Sequence, residues 1–218
     1  MIDRKRRAIG DEQKQRRRQA MIDAAWQLFQ QSSYQAITMA EVAERAGIAK
    51  GTVYLYFKTK EELFLVVQEQ QFQDWFDDLD QRLGEARGQG TPERAADLIC
   101  GTLDRRGALV ALLAILHTVL EQNVDFDTAL RFKRMLLDRI TRTGALLEGC
   151  LPFLQPGQGP AALLQIYALI IGVEHIAQAA PIVRQVLREP GMQIFDISFG
   201  PTFAAALVAL LRGLKHEL

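Results

Sequence analysis

The chain is poor in cysteine. Only Cys100 and Cys150 occur in 218 residues, and their spacing fits no metal site or redox pair. This excludes a disulfide framework and a zinc knuckle, and both are expected to be reduced, buried thiols. Long apolar runs are also missing. Phe203–Leu211, among the longest, has nine residues, against the roughly 20 that span a bilayer. The N-terminus is charged with no apolar segment behind it, so no signal peptide and no membrane partner are expected, and the expected compartment is the cytoplasm. The three histidines, His117, His175 and His216, are scattered. There is no nucleophile elbow, phosphate loop, metal cluster or paired-carboxylate signature. An enzyme is therefore not expected, nor any cofactor or metal. Strand formers are sparse and alternation is rare, which leaves an all-α chain rich in Ala, Leu, Gln, Glu and Arg.

The charge balance is zero overall but uneven along the chain. Residues 1–60 hold 12 Lys/Arg and 6 Asp/Glu, and residues 61–218 hold 14 and 20. A basic head on an acidic body points to a polyanionic partner for the head alone. Residues 1–20 read as a polar, basic arm, the stretch from there to about Leu83 as a group of helices, and the remainder as a helical body. The arm's Arg4–Arg7 and Arg16–Arg18 could reach a minor groove, or serve as a solvated tail. In the head, Met21, Ile22, Ala24, Ala25, Leu28 and Phe29 form the stripe of a first helix. Gly84–Gly90 is the clearest break, and Thr91-Pro92 opens the next helix as N-cap and first helical residue. Further helices are predicted over about 107–121, 126–150, 160–179 and 202–216, with Pro181 and Pro190-Gly191 breaking the stretch before the last.

The segment Ile37–Phe64 carries the functional signal. Thr38 and Glu41 are spaced as a capping box, and Ile37 and Val42 as a hydrophobic staple. Gly47 supplies a turn residue that tolerates positive φ. A second short helix follows, pinned inward by Val53, with Phe57 also in the core. This spacing is that of a helix-turn-helix over about 38–57. The outward face of the second helix carries Lys50, Gly51, Thr52, Tyr54 and Leu55. Thr59 and Glu62 are spaced as a second capping box.

GIAKGTVYLYFKTKEELF resembles the recognition helix of the TetR family and its junction with the fourth helix, and the Ala24-Ala25 and Leu28-Phe29 helix upstream also matches. The resemblance covers roughly residues 15–75, and so implies a basic flexible arm over 1–14, a DNA-binding head over 15–75 and a helical body over 76–218. It implies that Lys50 and Thr52 approach base edges or phosphates, that Gly51 lets the backbone near DNA, and that Tyr54 and Tyr56 reach phosphates. Thr38 would meet a phosphate at a helix N-terminus, and Lys58 and Lys60 would grip the DNA backbone. Two departures stand out: Ala49 where family members often carry Ser or Thr, and Tyr56 where His is common.

The resemblance further implies a homodimer formed by the last two helices, about 160–179 and 202–216, reading a palindromic operator. The near absence of a polar face on both segments points the same way. A small, mainly apolar effector would bind in the body and release a repressor from DNA. Candidate ligand residues are His117 and Glu121, four apart, then Phe132 and Met135, then Tyr167, Glu174, His175 and Gln178. The alternative is a DNA-bound dimer that recruits a protein and has no small-molecule effector.

Overall fold

The computed structural model describes residues 2–216, with side chains from Asp11 to Lys215. Among them the fold is wholly helical. In order come α1 (Ile2–Phe29), α2 (Met39–Arg45), α3 (Lys50–Val53), α4 (Lys60–Glu85), α5 (Pro92–Leu103) and α6 (Gly107–Ile115). A 3-10 turn at Leu120–Asn123 leads to α7 (Phe126–Cys150), α8 (Gln158–Ala177) and α9 (Pro181–Val186). A second 3-10 turn, Gln193–Phe195, precedes α10 (Phe199–His216). The chain forms two compact units. One comprises residues 1–70 with 116–130, and the other residues 71–115 with 131–218.

The first unit is a helix-turn-helix on a long brace. Met21, Ile22 and Ala25 of α1, Val42 of α2, Val53 of α3 and Leu63, Phe64 and Val67 of α4 are buried together with Phe57. Phe64 sets its edge against Phe29 and Tyr34, with ring centroids 5.8 and 5.0 Å apart, the preferred arrangement for aromatic quadrupoles. Arg18 of α1 lies over the Phe57 ring, 5.3 Å from its centroid.

In the second unit α10 packs on α5 and α8, and α6 packs on α8. By length and composition α8 could cross a membrane, a possibility that a search for unbroken apolar runs passes over. Here it is a core helix that buries Ala162, Leu163, Ile166, Ile170 and Val173. Phe72, Trp75, Phe76 and Phe132 form one aromatic cluster. The Trp75 indole N–H donates to Thr102 Oγ1 at 2.8 Å. The loop after α4 is tied to the end of α7: Gly88 N–H donates to Gly149 O at 2.8 Å and Gly90 N–H to Cys150 O at 3.0 Å. Those carbonyls would otherwise be orphans of a helix C-terminus. At the start of α8, Glu148 Oε1 accepts from Gly157 and Gly159 N–H, each at 2.8 Å. A carboxylate of α7 thus caps α8, whose own N-cap residue has no side chain.

Asp78 receives Arg82 Nε and Arg106 Nη1, each at 2.7 Å. Desolvation pushes its carboxyl pKa up, but the two guanidinium groups outweigh this and hold it below the usual range. Asp78→Asn is expected to destabilise this unit by about 1.5–3 kcal/mol at neutral pH. A carboxylate with a depressed folded pKa contributes above its unfolded pKa, and the contribution is lost as pH falls through the folded value. Thermal melts of the two proteins should therefore differ at neutral pH and converge in acid. A gap that persists in acid would mean that Asp78 acts through packing rather than charge.

Several boundaries differ from those the sequence predicts. α1 does not begin after an arm. It runs back to Ile2, through residues dominated by Arg, Lys and Gln, which are good helix formers, and Glu12 pairs with Arg16 at 2.7 Å one turn on. The side chains of Arg4–Arg7 lie outside the described residues. α6 ends at Ile115 rather than near 121; Ile115, Thr118 and Val119 are β-branched and disfavour helix. The segment 116–130, predicted to belong to the body, clusters with the head instead. The stretch broken by Pro181 and Pro190 still holds the short helix α9, which starts on Pro181.

Candidate nucleic-acid interface

The α2 start is built as its sequence requires. Thr38 Oγ1 accepts from Glu41 N–H at 3.3 Å, while the Glu41 carboxylate accepts from Thr38 N–H at 2.7 Å and from its hydroxyl at 2.8 Å. These bonds hold the exposed Glu41 carboxyl below its ordinary pKa, the Thr38 hydroxyl bond contributing most. Thr38 is exposed, with its hydroxyl committed to the box. Gly47 follows at φ 68, and Ile37 and Val42, the staple pair, are both buried.

α3 is four residues long and starts from Ala49, which makes no side-chain cap bond. Ala49→Ser is expected to stabilise the head by about 0.5–2 kcal/mol. The check is the denaturation midpoint of the two proteins; an unchanged midpoint would mean that α3 is held by packing alone. Val53 points wholly inward. Lys50 and Gly51 are exposed, Thr52 is half-buried, and Tyr54 and Leu55 are exposed by 47% and 82%. A side chain at Gly51 would meet nothing within 4 Å. One face therefore presents a cation, a bare stretch of backbone and a phenol open to solvent, with a half-buried hydroxyl among them. Tyr56 is half-buried at its edge.

The junction with α4 is more tightly organised than the sequence suggests. Glu62 N–H donates to Thr59 Oγ1 at 3.0 Å, as a capping box requires. The Glu62 carboxylate, however, accepts from Lys58 N–H at 2.7 Å, one residue earlier than the box predicts. Lys58 stays exposed, 3.6 Å from Asp125, a surface pair of small energetic weight. Lys60 turns inward. Its Nζ donates to the carbonyls of Tyr34 and Ile37 at 2.8 and 2.9 Å and sits 4.0 Å from the Tyr34 ring centroid. Burial pushes its pKa down. The Tyr34 hydroxyl donates to Glu61 Oε1 at 2.8 Å, and burial, more than the Glu61 bond and charge, raises the phenol pKa. Lys60 thus spends its donors on the turn before α2, in place of the free grip expected of it. Tyr34 and Glu61 have no signature in the sequence, because their partnership joins residues 27 apart.

The candidate ligand residues divide between the units. His117 Nδ1 lies 2.9 Å from Glu121 Oε2 in the first unit, across a turn rather than along the helix predicted for it. The rest belong to the second. Phe132 is core, stacked obliquely on Phe72 at 6.2 Å. Met135 is half-buried. Tyr167 OH donates to Leu113 O at 3.4 Å. Glu174 is buried and accepts from Gln178 Nε2 at 2.9 Å, while His175 and Gln178 are exposed. Among the described residues no cluster of three metal-ligating side chains occurs.

Comparison with known proteins agrees with this geometry. Residues 21–67 match the family model described as bacterial regulatory proteins, tetR family, and residues 69–217 match that described as tetracyclin repressor-like, C-terminal domain. The HTH-type transcriptional repressor KstR of Mycolicibacterium smegmatis is 32% identical over 98 residues, 44% of this chain and 46% of the relative. The fatty acid metabolism regulator protein of Bacillus subtilis is 38% identical over 53 residues, 24% of this chain and 27% of that one. The chain thus spans less than half the length of these relatives. A TetR transcriptional regulator from a Rhodococcus species superposes with TM-score 0.55 at 21% identity, covering 93% of this chain and 98% of that one. FadR from Bacillus subtilis, solved with stearoyl-CoA, gives 0.54 at 16%, covering 92% and 98%. At such identities the likeness is one of fold. The matched models and the relatives describe regulators, not enzymes, and the second model alone spans more than half of the chain: this protein belongs to the TetR family of DNA-binding transcriptional regulators.

Proposed function

We propose that this protein is a dimeric repressor that binds a palindromic operator and leaves it when a small, mainly apolar ligand occupies the body. The open face of α3, with Lys50, Gly51, Thr52 and Tyr54 on a braced head, carries the reading. Lys58 extends that face, and Thr38, Tyr56 and Lys60 support it from behind. What one chain leaves uncovered supports a dimer. α8 exposes Leu164 and Ile176, and α10 exposes Ala205, Ala209 and Gly213. Pairing these sides with their copies would remove them from water and set two α3 helices on successive major grooves. The solved FadR that holds stearoyl-CoA has this fold, which favours an apolar effector here too, acting in the cytoplasm. A second reading, recruitment of a protein partner without an effector, is favoured by the exposed Ile182, Val183, Val186, Ile194 and Phe195.

Selection of double-stranded DNA from a random pool tests the first claim, and a screen for compounds that release the selected DNA tests the second. A palindromic consensus is expected. Thr52→Ala should then alter base preference rather than weaken all sequences alike. Failure to prefer any sequence over bulk DNA at physiological salt would end the regulator reading. Operator binding that no compound releases would leave the recruitment reading standing.

A further inference from the structure

The second unit carries a cleft that the regulator reading does not use. It lies between the C-terminal end of α4 and the second half of α7, with a volume of about 370 Å³. Its accessible apolar lining is Ala145 and the half-buried Leu146, while Leu83 is fully buried. Two guanidinium groups, of Arg87 and Arg142, stand at it.

Arg142 is tied to a carboxylate, and Arg87 is exposed. Arg142 Nε lies 2.9 Å from Asp80 Oδ2, and Asp80 is itself buried and accepts from Thr143 Oγ1 at 2.5 Å. Arg87 sits in the loop pinned to α7 through Gly88 N–H and Gly149 O. Its stem runs across Gly149, where an added Cβ would lie 3.8 Å from Arg87 Cγ. Asp80 offsets Arg142 (and, at 3.8 Å, Arg139). Arg87 has no carboxylate or hydrogen-bond acceptor among the described residues. The cleft therefore keeps one uncompensated cation above an apolar floor.

Gly84 is the second sign. It is the penultimate residue of α4. Nothing requires it: its φ is not positive, and a Cβ there would meet nothing within 4 Å. What glycine does at this position is leave the cleft open.

We propose that this cleft binds an amphipathic anion, a single carboxylate or phosphate head on a straight apolar tail. The head would take the fork of Arg87 with support from Arg142, a charge-assisted and bidentate contact. The tail would cover Ala145 and Leu146. The volume holds about a dozen water-sized groups, which fits a ten-carbon chain with its head.

The test uses the full chain and decanoate, with decyl phosphate and decan-1-ol as the other arms, read by calorimetry. A decanoate bearing a photoreactive diazirine near its tail end maps the site by mass spectrometry. Decanoate is expected to bind and to label peptides containing residues 83–87 and 142–149. Decan-1-ol should bind at least about tenfold more weakly, the loss of one charge-assisted contact. Arg87→Gln should cost decanoate a similar factor. Gly84→Leu should fill the cleft and abolish the label at these peptides while leaving the melting temperature equal or higher. The relative strength of decyl phosphate then says which head is preferred. Absence of binding, labelling confined to other peptides, equal binding of the alcohol, or a Gly84→Leu protein labelled like the parent would each overturn the proposal.

Discussion

Gly144→Ala is expected to lower the melting temperature by roughly 6–12 °C, the result of losing about 3 kcal/mol in a chain of this size. The effect comes from how closely α7 and α8 cross. A Cβ at Gly144 would sit 2.5 Å from both Pro160 N and Pro160 Cδ, which are backbone and ring atoms that cannot swing aside. The crossing is reciprocal, because a Cβ at Gly159 would run into the carbonyl of Gly144. Alanine is otherwise the better helix former by about 1 kcal/mol, so the measured loss is what remains after that gain. Gly84→Ala is the control, since its Cβ enters open space, and it should raise stability slightly. If Gly144→Ala melts within about 2 °C of the parent, the helices separate easily and the crossing does not hold the body together.

The same two helices show why some of the fold was legible in the sequence and some was not. The sequence predicts α7 over 126–150, the bounds it has. α8 and α10 were placed two and three residues late. In both, proline at the third helical position, Pro160 and Pro201, looks like a start signal. A proline anywhere in the first turn lacks only an N–H that would be unpaired there, so the helix can begin upstream of it. The head was read most fully because its information is local. Each capping box closes over three residues, and the boxes, the turn glycine and the inward Val53 follow one another at steps of six. The inward turn of Lys60 depends on carbonyls 23 and 26 residues away. Residues 116–130 join the head through contacts of the same kind, such as the Thr59 hydroxyl donating to Asn123 O at 3.4 Å across 64 residues. Long-range contacts of this sort leave no spacing to read. The cleft beside Arg87 went unseen for that reason, since α4 and α7 meet there across some sixty residues.

Gly51→Glu is expected to reduce operator affinity by on the order of a hundredfold or more while leaving the head folded. The site allows a side chain: Gly51 is exposed, and a Cβ meets nothing within 4 Å. The local physics favours this one. Gly51 is the second residue of α3, where an anionic side chain complements the helix dipole and replaces the least favourable non-proline residue. The head should therefore melt at the same temperature or higher. On DNA the same carboxylate faces phosphates where the parent chain presents bare backbone beside Lys50, and like charges brought together at an interface cost several kcal/mol. Measured by fluorescence anisotropy at two salt concentrations, the loss should shrink as salt rises and screens the repulsion. Lys58→Glu provides the comparison from the rim, where the side chain is exposed and paired only loosely with Asp125; its loss should be smaller and equally salt-sensitive. An unchanged affinity for Gly51→Glu, in a protein shown to be folded, would mean that the α3 face does not enter the groove.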